Sequence, residues 1–179
     1  MNKYIGVAAG IIVLVLVNFS ILKKENHLSD GQVIYLELAP VDPRSLMQGD
    51  YMALRFKLAN QIYQVLPKKK EYSRWQYKLD AQDGKVVVTV DQNGIASYSV
   101  LYTGKQLKQN EIAIRYRVRD GKLKFATNAF FFQEGKAGEY ASARYGQFRV
   151  DVNGELLLVS MHDKGLQLLG INKVSSNLN

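Results

Sequence analysis

Residues 111–126 read EIAIRYRVRDGKLKFA, and this stretch decides the fold class. Ile112, Ile114, Tyr116 and Val118 alternate with Arg115, Arg117 and Arg119, the period of two expected of a strand with one face toward a core and the other toward water. Asp120-Gly121 follows, a pair that tolerates positive φ and suits a two-residue hairpin turn, and KLKFA begins the return strand. Strand, tight turn and strand make an antiparallel unit.

The same pattern recurs outward from this hairpin. VIYLELA (33–39) alternates Ile34, Leu36 and Leu38 with Tyr35 and Glu37, and YMALRFKL (51–58) sets Met52, Leu54, Phe56 and Leu58 opposite Arg55 and Lys57. KVVVTV, IASYSVLY, AFFFQ, GQFRVDV and ELLLVSM are further strand-like runs, punctuated by Asp83-Gly84, Asn93-Gly94 and Asn153-Gly154. Without alternating helices to carry crossovers, a parallel sheet is disfavoured. The expected fold is mostly β: an antiparallel β-sandwich or partly closed barrel behind one N-terminal transmembrane helix. There is room for one short helix in EYSRWQYKLDAQ, where Tyr72, Trp75 and Leu79 stand at helical spacing.

The N-terminal helix is read from residues 4–22, which carry no charge. At 1.5 Å per residue such a helix spans roughly 28 Å, about one hydrocarbon core. A cleaved signal peptide would have a shorter apolar run and small residues at its cleavage site, whereas Asn18-Phe19-Ser20-Ile21-Leu22 leads straight into Lys23-Lys24, so an uncleaved anchor is favoured. Lys3 at one end and Lys23 and Lys24 at the other leave little asymmetry to orient it. The expected organisation is an anchor at 1–24, a juxtamembrane link at 25–32, a β-rich domain at 33–172 and a polar tail at 173–179.

Composition narrows the chemistry. The chain has 179 residues, 47% of them apolar, enough for one domain with its own core. It has no cysteine, which removes disulfides, thiolate nucleophiles and cysteine metal sites. The net charge is +8; removing Lys3, Lys23, Lys24 and Glu25 from 24 basic and 16 acidic residues leaves 21 against 15. That excess favours anionic neighbours.

The densest local signal is APVDPRSLMQGDY (39–51) between two strands, with Pro40 and Pro43 fixing φ, Asp42 suited to an Asx turn and Gly49 open to conformations closed to other residues. It reads as an ordered connection in which Arg44 and Asp50 serve local geometry, or as a recognition loop on a rigid scaffold. VDPRSLMQGDYMALRF resembles the signature of the GDYXXLXY family: Gly49, Asp50, Tyr51 and Leu54 match, and Phe56 stands where the family name has tyrosine, keeping the ring and losing the hydroxyl. The later stretch FFFQEGKAGEYASARYGQFRVDVNGELLLVSM is similar to the family's aromatic-Glu-Gly segment and closing strands, so the likeness covers roughly residues 33–170. The resemblance implies a bacterial protein of unassigned activity, single-pass in the cytoplasmic membrane, with its domain on the extracytoplasmic side and often encoded beside multi-spanning membrane proteins. It marks Asp42, Pro43, Arg44, Gly49, Asp50, Tyr51, Leu54, Glu134 and Gly135 as candidate binding or motif positions and supplies no catalytic residue.

Enzymatic readings lack parts. A membrane-tethered hydrolase of signal-peptidase-like architecture is the alternative, because such enzymes also place a Pro-containing segment before a Gly-Asp pair in a β domain. Their serine lies three residues before the proline, where this chain has Glu37 and Pro40, and Ser45 has no lysine placed by motif as its base. His27 and His162 belong to no spaced ligand cluster and read as surface histidines, so no metal or cofactor is expected. Asp42 and Asp50 would act as a carboxylate pair only at a separation that sequence does not fix. Arg115, Arg117 and Arg119 make a basic surface, read either as a solvated sheet face or, jointly with Lys68, Lys69 and Lys70, as a contact for anionic headgroups or an acidic partner. The expectation is therefore a binding or accessory domain with no nucleic acid, and the family resemblance implies that it partners a multi-spanning membrane protein.

Overall fold

The computed structural model describes residues 2–39, 47–48, 51–71 and 76–170. Helix α1 (Asn2–Asp30) runs unbroken through the uncharged segment and on through residues 25–30, so most of the juxtamembrane link is helical. Its side chains from Tyr4 to Leu22 are exposed all round, and it is long and apolar enough to cross a membrane, a test that a signal sequence also passes. Asn18 Nδ2 and Ser20 Oγ donate to the carbonyls of Leu14 and Leu16 at 2.8 and 2.9 Å, so each of these polar side chains finds an acceptor within the helix itself.

The remainder is strand-rich: β1 (Gln32–Glu37), β2 (Met47–Gln48), β3 (Tyr51–Ala53), α2 (Lys57–Val65), β4 (Lys69–Glu71), β5 (Gln76–Lys78), β6 (Gln82–Val90), β7 (Ala96–Leu101), β8 (Glu111–Arg119), β9 (Lys122–Lys124), β10 (Ala129–Phe131), a single 3-10 turn (Ala137–Tyr140), β11 (Tyr145–Val150) and β12 (Leu156–His162). All ladders are antiparallel, in the orders β1-β11-β12, β10-β3-β2, β4-β5 and β7-β6-β8-β9. The alternating positions of the two larger sheets meet in one core, where Ile34, Leu36 and Phe148 pack with Val86, Val88, Ile114 and Val118. Phe56 bridges these layers in edge-to-face contact with Phe125 and Phe148.

Three local readings change. The inward set Met52, Leu54, Phe56 and Leu58 is buried as alternation requires, but the backbone is strand only to Ala53 and turns helical at Lys57. From there Leu58, Ile62 and Leu66 bury at a spacing of four, and that helical period outweighs the strand pattern. The short helix expected around Tyr72, Trp75 and Leu79 is replaced at Gln76–Lys78 by β5, paired with β4; residues 72–75 lie outside the described residues. Asp83-Gly84 is no turn: it lies inside β6 opposite Arg117 and Tyr116. Gly84 is needed there because the Tyr116 ring covers it, so that a Cβ would stand 2.6 Å from the phenolic oxygen.

Asp120-Gly121, with φ of 54° and 71°, is the two-residue turn anticipated between β8 and β9. Asn93-Gly94 and Asn153-Gly154 instead close longer loops, in which an aspartate three residues before the glycine caps the turn.

Candidate functional site

The end of α1 is fastened to the domain. The Gly31 N–H donates to the His27 carbonyl at 3.2 Å, Arg149 Nη1 donates to the Gly31 carbonyl at 2.9 Å, and His27 Nε2 lies 2.9 Å from the Arg149 carbonyl. Only glycine fits at 31, since a Cβ would sit 2.4 Å from the His27 carbonyl oxygen. His27, expected on the surface, is thus a half-buried joint. Asp151 in the adjoining loop is held below the usual carboxylate range. Burial works against this, but N–H bonds from Glu155 and Asn153, the Asn153 amide and the nearby His27 outweigh it.

Beside this joint lies the arginine face. Register places Lys85 opposite Arg115, Asp83 and Lys124 on either side of Arg117, and Lys122 opposite Arg119, so these side chains share one face of the sheet. Arg115 pairs with Glu155, and Arg119 with Asp83 at 2.7 Å. The hydrogen bond from Arg119, against opposing burial and with the charges of Arg119, Arg115 and Arg117, lowers the pKa of Asp83 below its ordinary 3.8. Arg117 has no carboxylate within ion-pair reach among the described residues. Two clefts open on this face, of about 770 and 650 Å³, sharing Lys24, Asp83, Arg115, Glu155 and Leu156. The second sets Arg115, Arg117 and Arg119 against Phe130, Phe131, Leu157 and Leu158.

Of the candidate motif positions, Asp42, Pro43, Arg44, Gly49 and Asp50 lie outside the described residues, as does the whole polar tail. Tyr51 is half-buried on β3, its ring 5.8 Å from that of Phe131 on β10. Leu54 is a core residue whose N–H donates to the Asn128 carbonyl at 2.7 Å. Glu134 is exposed, and Gly135 has a φ of +79° in the turn that follows β10, the backbone conformation for which glycine is suited. Tyr51 therefore stands near the arginine cleft through Phe131, and Glu134 and Gly135 mark the turn leaving the same strand.

The GDYXXLXY protein family matches residues 13–161, from within α1 to the penultimate residue of β12. This chain belongs to that family. No curated protein and no solved structure matches it. The family extent takes in the later part of the apolar helix, the α1 joint and both walls of the arginine cleft, as well as the motif that names it.

Among the described residues of this GDYXXLXY domain, one pair of side chains has the geometry of nucleophile and base: Ser160 Oγ lies 3.0 Å from His162 Nε2. His162 is also buried, a correction to its expected surface position. Its Nδ1–H donates to the Leu166 carbonyl at 2.9 Å, its ring meets that of Tyr35 edge-on, and Ser160 is bonded to Gln147, which donates to Tyr35 Oη. The pair belongs to a continuous side-chain chain across β1, β11 and β12, and it lines none of the clefts described above. Its geometry closes the end of the sheet. Sequence reading missed the joint residues His27, Gly31 and Arg149 because they meet only in three dimensions; it marked the Asn-Gly pairs of the two loops but not the capping Asp91 and Asp151, whose signal is the Asp two residues before each pair.

Proposed function

We propose that this chain is a membrane-anchored extracytoplasmic domain that acts by binding, as an accessory subunit of a multi-spanning membrane protein. The observation that carries the reading is the joint at Gly31. A tether that served only to localise a domain would need no fixed angle, whereas the contacts of His27 and Arg149 mount this domain rigidly on its helix. A rigid mount offers one surface at one height above a bilayer, the geometry useful for a partner in that membrane. Phe131, exposed over 74% of its surface and in contact with the Tyr51 ring, is the prominent apolar group of that surface.

The test is to replace Phe131 by a photoreactive benzoylphenylalanine in the full chain and irradiate intact bacterial membranes. The expected result is a discrete adduct with an integral membrane protein, reduced when Tyr51 is changed to alanine. Recovery of no protein adduct under any growth condition would count against the accessory role.

A further inference from the structure

We infer that the cleft between the arginine face and the β10–β12 wall seats an anionic phospholipid of the bilayer in which α1 is anchored. This rests on the membrane-anchored reading above and names a ligand for the surface it presents.

Height is the first argument. Lys23 and Lys24 close the uncharged run of α1, so their ammonium groups belong at headgroup level, and Lys24 lines both clefts of the arginine face. At the same level Phe19 and Leu22 share a third cleft with Val150 and Val152, and Val152 at the tip of the β11–β12 loop is fully exposed. An aliphatic tip beside the last apolar turn of the helix suits contact with the membrane interface.

The chemistry of the walls is the second. One side carries guanidinium groups, which bind phosphate through forked hydrogen bonds; the other carries Phe130, Phe131, Leu157 and Leu158. A phosphodiester with an acyl chain would use both walls, whereas an acidic protein loop would use the arginines and leave the apolar side wet. The third argument is Arg117. Its neighbours Arg115 and Arg119 are engaged by Glu155 and Asp83, and Arg117 stands between them without a carboxylate partner among the described residues. The six basic groups Lys85, Arg115, Arg117, Arg119, Lys122 and Lys124 on this face, against Asp83 and Glu155, leave an excess that one phosphate would partly neutralise.

The full chain is reconstituted into phosphatidylcholine vesicles containing a photoactivatable phosphatidylglycerol, floated on a density gradient and irradiated, and lipid adducts are mapped by mass spectrometry. Adducts are expected on peptides spanning residues 115–131, falling about fivefold in Arg117→Gln and on the order of twentyfold in Arg117→Glu, the scale for one and two charges at an anionic surface. Lys105→Glu, exposed and outside the clefts described, should change nothing. Adducts confined to α1, adducts indifferent to Arg117→Glu, or equal capture of a photoactivatable phosphatidylcholine overturn the inference. A chain that floats with the vesicles yet captures no anionic lipid overturns this inference alone; a chain that does not float overturns the anchored reading, and this one with it.

Discussion

The loops at Asp91–Gly94 and Asp151–Gly154 share the sequence Asp-x-Asn-Gly and nearly the same hydrogen bonds, yet they serve different neighbours. In the first, Asp91 Oδ1 accepts from the Asn93 and Ile95 N–H groups at 2.9 and 2.8 Å; in the second, Asp151 Oδ1 accepts from Asn153 and Glu155 at the same distances. Each glycine has a φ of +82°, the left-handed position that follows a type I turn in a short hairpin loop. Each also delivers its carbonyl to the opposite sheet: Gly94 accepts from the Tyr35 N–H in β1, and Gly154 from the Arg115 N–H in β8, both at 2.8 Å. The two hairpins therefore clasp the two sheets reciprocally. They differ in what lies behind the glycine: at Gly94 it is the Tyr35 ring, 3.2 Å from a built Cβ, and at Gly154 it is the Ala113 carbonyl oxygen, 2.3 Å away. One sequence thus fixes the loop, while the tertiary neighbour fixes how much the loop tolerates.

That difference is broken most severely by alanine at each glycine. Both substitutions carry the cost of a left-handed alanine, about 1–2 kcal/mol. Gly154→Ala must in addition push a strand backbone aside, since a carbonyl oxygen in β8 cannot rotate away as a side chain can, and a total loss of about 3–5 kcal/mol is expected. Gly94→Ala should lose only about 1–2 kcal/mol, because the Tyr35 ring can shift by a few tenths of an ångström. Denaturant unfolding of the full chain in detergent, followed by the strand signal in circular dichroism, separates the two; equal losses would show that the reciprocal clasp has no stiffer side.

The loops differ next in their charge environment. Only the second adjoins α1, and Asp151 is held below its ordinary value of 3.8 by the bonds of Glu155 and Asn153 and by His27, against the burial that would raise it. A carboxyl more acidic when folded than when unfolded stabilises fully above the unfolded value, and that contribution is lost as the pH falls through the folded value. Asp151→Asn should therefore cost about 1 kcal/mol at neutral pH, the scale of a partly exposed hydrogen-bonded charge. The cost should shrink toward zero as the medium is taken below pH 3.8. Unfolding free energies of the wild type and the variant across that range give the difference; one that stayed constant with pH would remove the charge from the explanation.

These loops also show how far sequence carries the fold. Alternation in residues 111–118 and the Asp120-Gly121 pair give β8, its buried face and its turn correctly, because period and turn chemistry are local. Asp83-Gly84 has the same local signature and is strand interior, because the Tyr116 ring needs a residue without a side chain beneath it, and that need comes from the facing strand. The strand read over residues 51–58 overran at its end for a related reason: Leu58 fits the strand alternation before it and the helical spacing of Ile62 and Leu66 after it, and burial of the longer period decides. Of the candidate site, the arginine face was legible from alternation alone. Its apolar wall and the joint of α1 were not, since Arg149 and Gly31 are 118 positions apart and meet only when β11 pairs beside the helix end.

A third loop sharpens the comparison by doing the same work without glycine at the key position. Asp163 Oδ1 accepts from Gly165 and Gln167 at 2.8 and 2.9 Å, and the left-handed residue is Leu166, with a φ of +59°. Its carbonyl also accepts a bond from outside the loop, here from His162 Nδ1 rather than from a strand N–H. Leu166→Gly relieves a left-handed leucine worth about 1–2 kcal/mol but enlarges the unfolded ensemble by nearly as much, about 1 kcal/mol. The expected net change in unfolding free energy is the smallest of the set, within about 0.5 kcal/mol of zero or slightly stabilising. The His162 ring should keep its place, which the histidine resonances in nuclear magnetic resonance spectra would report. A loss above about 2 kcal/mol would mean that the half-buried leucine side chain, rather than the turn, holds this loop. The three Asp-capped loops would then share a hydrogen-bond pattern without sharing what stabilises them.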